Sequence, residues 1–201
     1  MTSLSSSKTP TALALAAAVS LGALLAAPHP AAAHGDETRL APGIQSKLAD
    51  ARRATARLHD TAYALSAQGG YGPGPVVDVN GIVCIDKPGT GAMGVHYANV
   101  GLLLDAQLDE RQPEALIYEP QTDGTMRLVG VEYIVLKPLW DSARAANPAL
   151  AATPNLFGQD FHLTGEPNRY GLPPFYALHV WLWQPNPKGV FNDWNPSVRC
   201  P

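Results

Sequence analysis

Three ionisable residues sit inside apolar runs with strand-like alternation. They are His96 in Gly94-Val95-His96-Tyr97, Glu132 in Gly130-Val131-Glu132-Tyr133, and His179 in the run 175–183. Charge buried in a sheet is costly unless it is paired or bound to something. Two imidazoles and one carboxylate with open positions suit zinc, iron or manganese. The same trio suits metal-free acid–base chemistry, with Glu132 orienting a histidine that moves a proton. It equally suits a structural His–Glu hydrogen bond that holds the sheet in register. Spacing does not choose among these, because the three lie on separate strands and form no local pair such as His-x-His.

Side chains alternate along a strand, so His96 shares a face with Gly94, Glu132 with Gly130, and His179 with Trp181 and Trp183. The glycines are expected to leave a gap beside the ionisable groups, and the tryptophans to wall it as a ligand pocket. His162, in Phe161-His162-Leu163, is a candidate fourth member.

Other chemistries find little support. Gly89-Thr90-Gly91-Ala92-Met93-Gly94 has the spacing of a dinucleotide loop, but the residues after it read as a strand rather than the required helix. No Gly-x-Ser-x-Gly elbow is present. Cleavage after Ala33 would expose His34, whose amine and imidazole could chelate copper, but a helix rather than a strand follows. Asp109-Glu110 reads as a solvated turn. The four tryptophans read as core, with a carbohydrate platform as the weaker alternative.

The elements that must position the trio are legible from periodicity. Apolar residues at 44, 48, 51, 55, 58, 62 and 65 describe one helix face, which predicts a long helix over 43–67 stopped by Gly69-Gly70. The period then falls to two. Short strands are predicted at 76–79 and 82–85 around Asn80-Gly81, a hairpin signal. Further strands follow at 93–97, 115–119, 126–136, 156–163 and 175–184, with Asp123-Gly124 as a second hairpin signal. The segment 101–107 is ambiguous, with a helical turn as one reading. A short helix over 139–146 starts just after Pro138. On strand 126–136, Val129, Val131, Tyr133 and Val135 should share one face, and Leu128, Gly130, Glu132 and Ile134 the other. The expected fold class is α+β: a long N-terminal helix packed on a mostly antiparallel sheet of about five to seven strands, with a short inserted helix.

The N-terminus has the layout of a secretory signal peptide over 1–33. Lys8 precedes an Ala/Leu-rich run, prolines break that run, and Ala31-Ala32-Ala33 offers a cleavage site. A flexible tail over 34–43 and one globular domain over 44–201 follow. Loss of Lys8 takes the net charge from −3 to about −4. With no basic run and no second long apolar stretch, nucleic acid is not an expected partner, nor is a stable membrane anchor after cleavage. An exported chain with two cysteines, Cys84 and Cys200, is expected to form one disulfide, with free thiols or a metal pair as alternatives.

Several motifs together resemble an uncharacterised family of exported bacterial proteins. They are Cys84 with Gly91-Ala92-Met93-Gly94-Val95-His96-Tyr97, Leu128-Val129-Gly130-Val131-Glu132-Tyr133, and Leu178-His179-Val180-Trp181-Leu182-Trp183 with Asn186-Pro187-Lys188-Gly189-Val190-Phe191. The likeness runs from about residue 50 onward. It implies export but no activity, cofactor or catalytic residue. Members of that family are richer in histidine between about 168 and 176, where this chain has Asn168, Arg169 and Phe175. The sequence therefore points to a secreted or periplasmic protein that binds a metal ion or small ligand at His96, Glu132 and His179. The alternative is a structural or interaction domain of the cell envelope without a catalytic site.

Overall fold

The computed structural model describes Met1 and residues 40–201; the expected signal peptide and most of the expected tail lie outside the described residues. Helix α1, Pro42–Thr55, begins with proline in its first turn, where the missing N–H costs nothing. Its start lies inside the expected tail. Leu48, Ala51 and Thr55 form its buried face.

The single long helix expected over 43–67 does not form. Thr55 turns its hydroxyl back onto the Ala51 carbonyl at 2.8 Å, a bond that bends helices. A 3-10 turn, Ala56–His59, follows. Asp60 then leaves helical geometry, and its carboxylate accepts the Tyr63 N–H to cap a new one-turn helix, α2, Thr61–Ala64. The apolar spacing survives this break because all three pieces lie over the same core, which takes Leu48, Ala51, Leu58 and Ala64.

The molecule is mixed α/β, built on a curled six-stranded antiparallel sheet with a few short helices. The strands are β1 (Cys84–Lys87), β2 (Gly91–Ala98), β3 (Ala115–Pro120), β4 (Met126–Leu136), β7 (His162–Thr164) and β8 (Phe175–Val180). Their order is β1-β2-β3-β4-β8-β7, and every pairing is antiparallel. β5 (Asn155–Leu156) and β6 (Gln159–Asp160) form a separate small hairpin. Helix α3, Val100–Leu103, is capped by the Asn99 side chain. Helix α4, Lys137–Ala146, carries Pro138 in its first turn, as the sequence predicts.

Two strand expectations change. Residues 76–79 form no strand. Asn80-Gly81 does turn the chain, with Asp78 accepting the Asn80 and Ile82 N–H groups. The strand expected over 156–163 is cut by Phe157-Gly158, both with positive φ, into the β5–β6 hairpin and β7.

A third change concerns the faces of β4. Ile117 pairs with Gly130 but Tyr118 pairs with Leu128, so one residue is extra on β4. Such a bulge reverses the alternation beyond it. Leu128 therefore joins Val131, Tyr133 and Val135 in the main core, while Val129 crosses to a second cluster with Ala92, Ile117, Trp181 and Val198. The α1–α2 segment covers the main-core face. The opposite face meets the C-terminal segment, which bridges Asn195 to Ala92 and ends in a Cys84–Cys200 disulfide.

Candidate metal centre

His96, Glu132 and His179 each stand between two residues of the main core: Val95 and Tyr97, Val131 and Tyr133, Leu178 and Val180. Strand alternation turns all three to the opposite face. Glu132 and His179 are direct cross-strand partners on β4 and β8. His96 is two strands from Glu132, on β2, with β3 between them. Ala115 is the β3 residue opposite Glu132. His96 is paired with the next β3 residue on that face, Ile117, so His96 and Glu132 approach each other diagonally across β3.

They do meet. His96 Nε2 lies 3.4 Å from Glu132 Oε2, and His179 Nε2 lies 3.7 Å from Glu132 Oε1. The two imidazoles stand perpendicular with centroids 5.7 Å apart. One ligating atom from each residue falls within 4.8 Å of the others. Bonds of roughly 2.0–2.2 Å to a tetrahedral ion set ligands about 3.4 Å apart. Both contacts to Glu132 are near that spacing, and the widest separation, at most 4.8 Å, would close by up to about 1.4 Å. All three residues are buried, none more than 8% exposed.

None of the four ring nitrogens of His96 and His179 has a hydrogen-bond partner of good geometry. A buried polar atom left without a partner costs about 1–3 kcal/mol. Electrostatics separates the two rings. Burial, reinforced by His179 and Arg169, drives the His96 pKa down to about 3, so this ring is neutral and offers a lone pair. Burial also opposes charge on His179, but Glu132 and Asp193 outweigh it and raise its pKa. Burial holds Glu132 above the usual carboxylate range. A divalent cation would replace the His179 proton as partner for Glu132 and give His96 a partner as well.

Asp193 is a residue the sequence reading missed. Its Oδ1 lies 3.4 Å from His179 Nδ1, and its Oδ2 lies 3.2 Å from Nδ1 of the exposed His162. His179 thus points Nε2 at Glu132 and Nδ1 at a carboxylate, the pairing that fixes the tautomer of a metal-bound histidine. His162 reaches the trio only through Asp193. Asp193 lies in an Asn- and Pro-rich tail with no periodicity, so its sequence carries no signal of its role.

The expected pocket wall changes. At Gly94, φ is +87°, and a Cβ would lie 2.7 Å from the Tyr118 carbonyl oxygen, so glycine is required by a close backbone approach rather than by a ligand. The space beside Gly130 is filled by Trp181. Trp181 stacks along His179 at 6.4 Å. Trp183 does not join it. β8 ends at Val180, Trp181 N–H bonds the Val190 carbonyl, and the alternation stops. Trp183 packs instead on the main core, edge-on to His59. In the 165–174 loop, the Arg169 guanidinium helps hold His96 neutral, and burial together with the Glu132 carboxylate holds Tyr170 protonated.

No helix among the described residues is long and apolar enough to cross a membrane. Compared with protein-family models, curated proteins and solved structures, the chain matches none.

Proposed function

We propose that this is an exported protein that binds one divalent transition-metal ion through His96, Glu132 and His179. The observation that carries the reading is the convergence of two buried imidazole Nε2 atoms, neither with a hydrogen-bond partner, on one buried carboxylate. A structural His–Glu pair would be drawn to hydrogen-bond length, whereas both contacts here are long. A two-nitrogen, one-oxygen donor set with open positions suits zinc first, then iron or manganese. Export is supported by the leader-like N-terminus and by the Cys84–Cys200 disulfide, a bond that persists in oxidising compartments.

The test is elemental analysis of mature protein from an exporting host, purified without chelators or affinity-tag metal. Near-stoichiometric metal is expected, lost in both His96→Ala and Glu132→Ala while circular dichroism shows the fold intact. Wild-type protein that stays metal-free after reconstitution would overturn the reading.

A further inference from the structure

We propose that the Cys84–Cys200 bond is a thiol-exchange site, and that its opening by a low-molecular-weight thiol frees the buried metal centre to take up and release its ion. This rests on the metal reading above and names what regulates that site.

His96, Glu132 and His179 are 4%, 8% and 4% exposed. Ligands this buried exchange an ion only when the structure beside them opens locally. What stands beside them is the second cluster of Ala92, Ile117, Val129, Trp181 and Val198. Ile117 is the cross-strand partner of His96. The Trp181 ring stacks along His179 at 6.4 Å, and its Nε1 donates to the Asn192 carbonyl at 2.6 Å. The next residue, Asp193, faces His179 Nδ1. Cys200 packs against the same cluster. One packed cluster thus touches the disulfide and flanks two of the three ligands.

The tail is fastened over this cluster at several points. Ala92 and Asn195 exchange both backbone bonds, at 3.1 and 3.0 Å. The Arg199 N–H donates to Glu119 Oε1 at 2.9 Å. The disulfide adds a covalent tie between residues 116 apart in sequence. Breaking it leaves this end of the tail on non-covalent bonds, which open locally at far lower cost.

The bond is also within reach of a reductant. Neither cysteine is fully buried. Cys200 lines a cleft of about 380 Å³, a size that holds a small molecule. The cleft runs between the β1–β2 hairpin at 86–92 and the tail at 196–200. Its charged lining residues are Lys87, Arg199 and Asp86, and the two cations favour a thiolate at the attacking and the leaving sulfur. Disulfides open to solvent are the labile and regulatory ones. In the exchange a thiolate attacks Cys200 Sγ and forms a mixed disulfide, while Cys84 leaves as a thiolate. A second thiol attacks the mixed disulfide, frees Cys200 and departs as the oxidised thiol dimer. Two thiols thereby give two electrons and two protons to the two cysteine sulfurs.

The experiment uses zinc-loaded mature protein without denaturant. Glutathione is the thiol, and peptide mass mapping locates the mixed disulfide, which is expected on Cys200. Zinc transfer to an excess of a chromogenic chelator is then timed for three forms: oxidised protein, reduced protein alkylated with iodoacetamide and freed of thiol, and the double variant Cys84→Ser/Cys200→Ser. Both opened forms should release zinc about tenfold faster or more, with circular dichroism unchanged. A bond that resists glutathione in the folded protein overturns the exchange site, and glutathione found on Cys84 instead overturns the role of the cleft. Equal release from closed and opened forms overturns the control of metal exchange. Each of these results leaves the metal reading standing. Loss of the fold on reduction also overturns the proposal, since the bond then serves folding rather than exchange. Wild-type protein that holds no zinc overturns both proposals. Should the double variant alone fail to fold, the alkylated wild type decides.

Discussion

The two faces of the sheet treat buried polar groups in opposite ways. On the face under α1 and α2, three buried tyrosines each reach a carbonyl: Tyr71 to Pro113 at 2.7 Å, Tyr118 to Leu58 at 2.5 Å and Tyr133 to Glu110 at 2.6 Å. On the other face, the Nε2 atoms of His96 and His179 converge on Glu132 at 3.4 and 3.7 Å, and neither has a hydrogen-bond partner. The contrast is not complete, since Trp140 and Trp183 each leave an Nε1 unpartnered near the main core. Those are single, separated donors, however, whereas the histidine nitrogens converge. A face that satisfies itself is built for stability. A face that concentrates unmet lone pairs around a carboxylate is built to receive something.

The two buried glutamates sharpen the point. Among the described residues, Glu114 forms no ion pair. Its Oε2 accepts the Ile134 N–H at 2.9 Å, and burial pushes its pKa up to about 8. It is carried as a neutral acid, whereas Glu132 sits between two imidazoles.

The strongest way to disturb the difference is to release the segment that covers the metal-site face. The Cys84–Cys200 bond closes a loop of 116 residues. The chain-entropy treatment gives such a loop about 4–5 kcal/mol. Replacing both cysteines by serine should cost an amount of that order in denaturant unfolding. Amide exchange should rise first over 185–200, before α1 and the main core. Uniform loss of protection would show that the two faces unfold as one.

Glu114 gives the next largest effect, and it depends on pH. The folded protein keeps this proton up to about pH 8, while the unfolded chain releases it near 4.5. Between those values unfolding releases a proton, so rising pH favours unfolding. Stability is lost across that window at about 1.4 kcal/mol per pH unit from this group. Glu114→Gln removes the contribution. The stability gap between variant and wild type should widen from pH 5 to pH 8, read from denaturation midpoints at each pH. Parallel profiles would mean that Glu114 is not carried neutral.

Asp193 tests the metal-site face alone. Asp193→Asn keeps the shape but removes the carboxylate that faces His179 Nδ1. Loss of such an outer partner costs 10–100-fold in metal affinity. Zinc affinity should fall by that factor, with the unfolding midpoint of the metal-free protein nearly unchanged. His162→Ala should change affinity far less, because His162 reaches the site only through the other oxygen of Asp193.

Much of this arrangement was legible in the sequence. The polar residue set between apolar neighbours marked His96, Glu132 and His179, because strand alternation is a local rule. Local rules failed where long-range pairing intervened. The β4 bulge moved Leu128 and Val129 to faces that alternation did not assign, since the extra residue is defined only by the register of β3. The end of β8 at Val180 took Trp183 away from the site, because the C-terminal segment captures the Trp181 N–H. Asp60 held the cue for the helix break, an N-cap residue within an otherwise continuous apolar stripe, and the stripe outweighed it. Asp193 could not be read at all, because its role depends on where the tail returns.

The smallest effects carry the clearest sign. Tyr118→Phe strips a hydroxyl from a satisfied pair and leaves the buried Leu58 carbonyl without that donor, so stability should fall by about 1 kcal/mol. His96→Leu removes two unpartnered nitrogens and puts hydrocarbon of similar bulk in their place. In metal-free protein that change should be neutral or stabilising by a similar amount, because the penalty of burying unsatisfied polar atoms disappears with them. With saturating zinc the order reverses, since wild type gains binding free energy that the variant lacks. Thermal unfolding of the three proteins, with and without zinc, reads both signs. If His96→Leu destabilises the metal-free fold as Tyr118→Phe does, the histidine is already paired without metal, and the two faces differ in composition rather than in purpose.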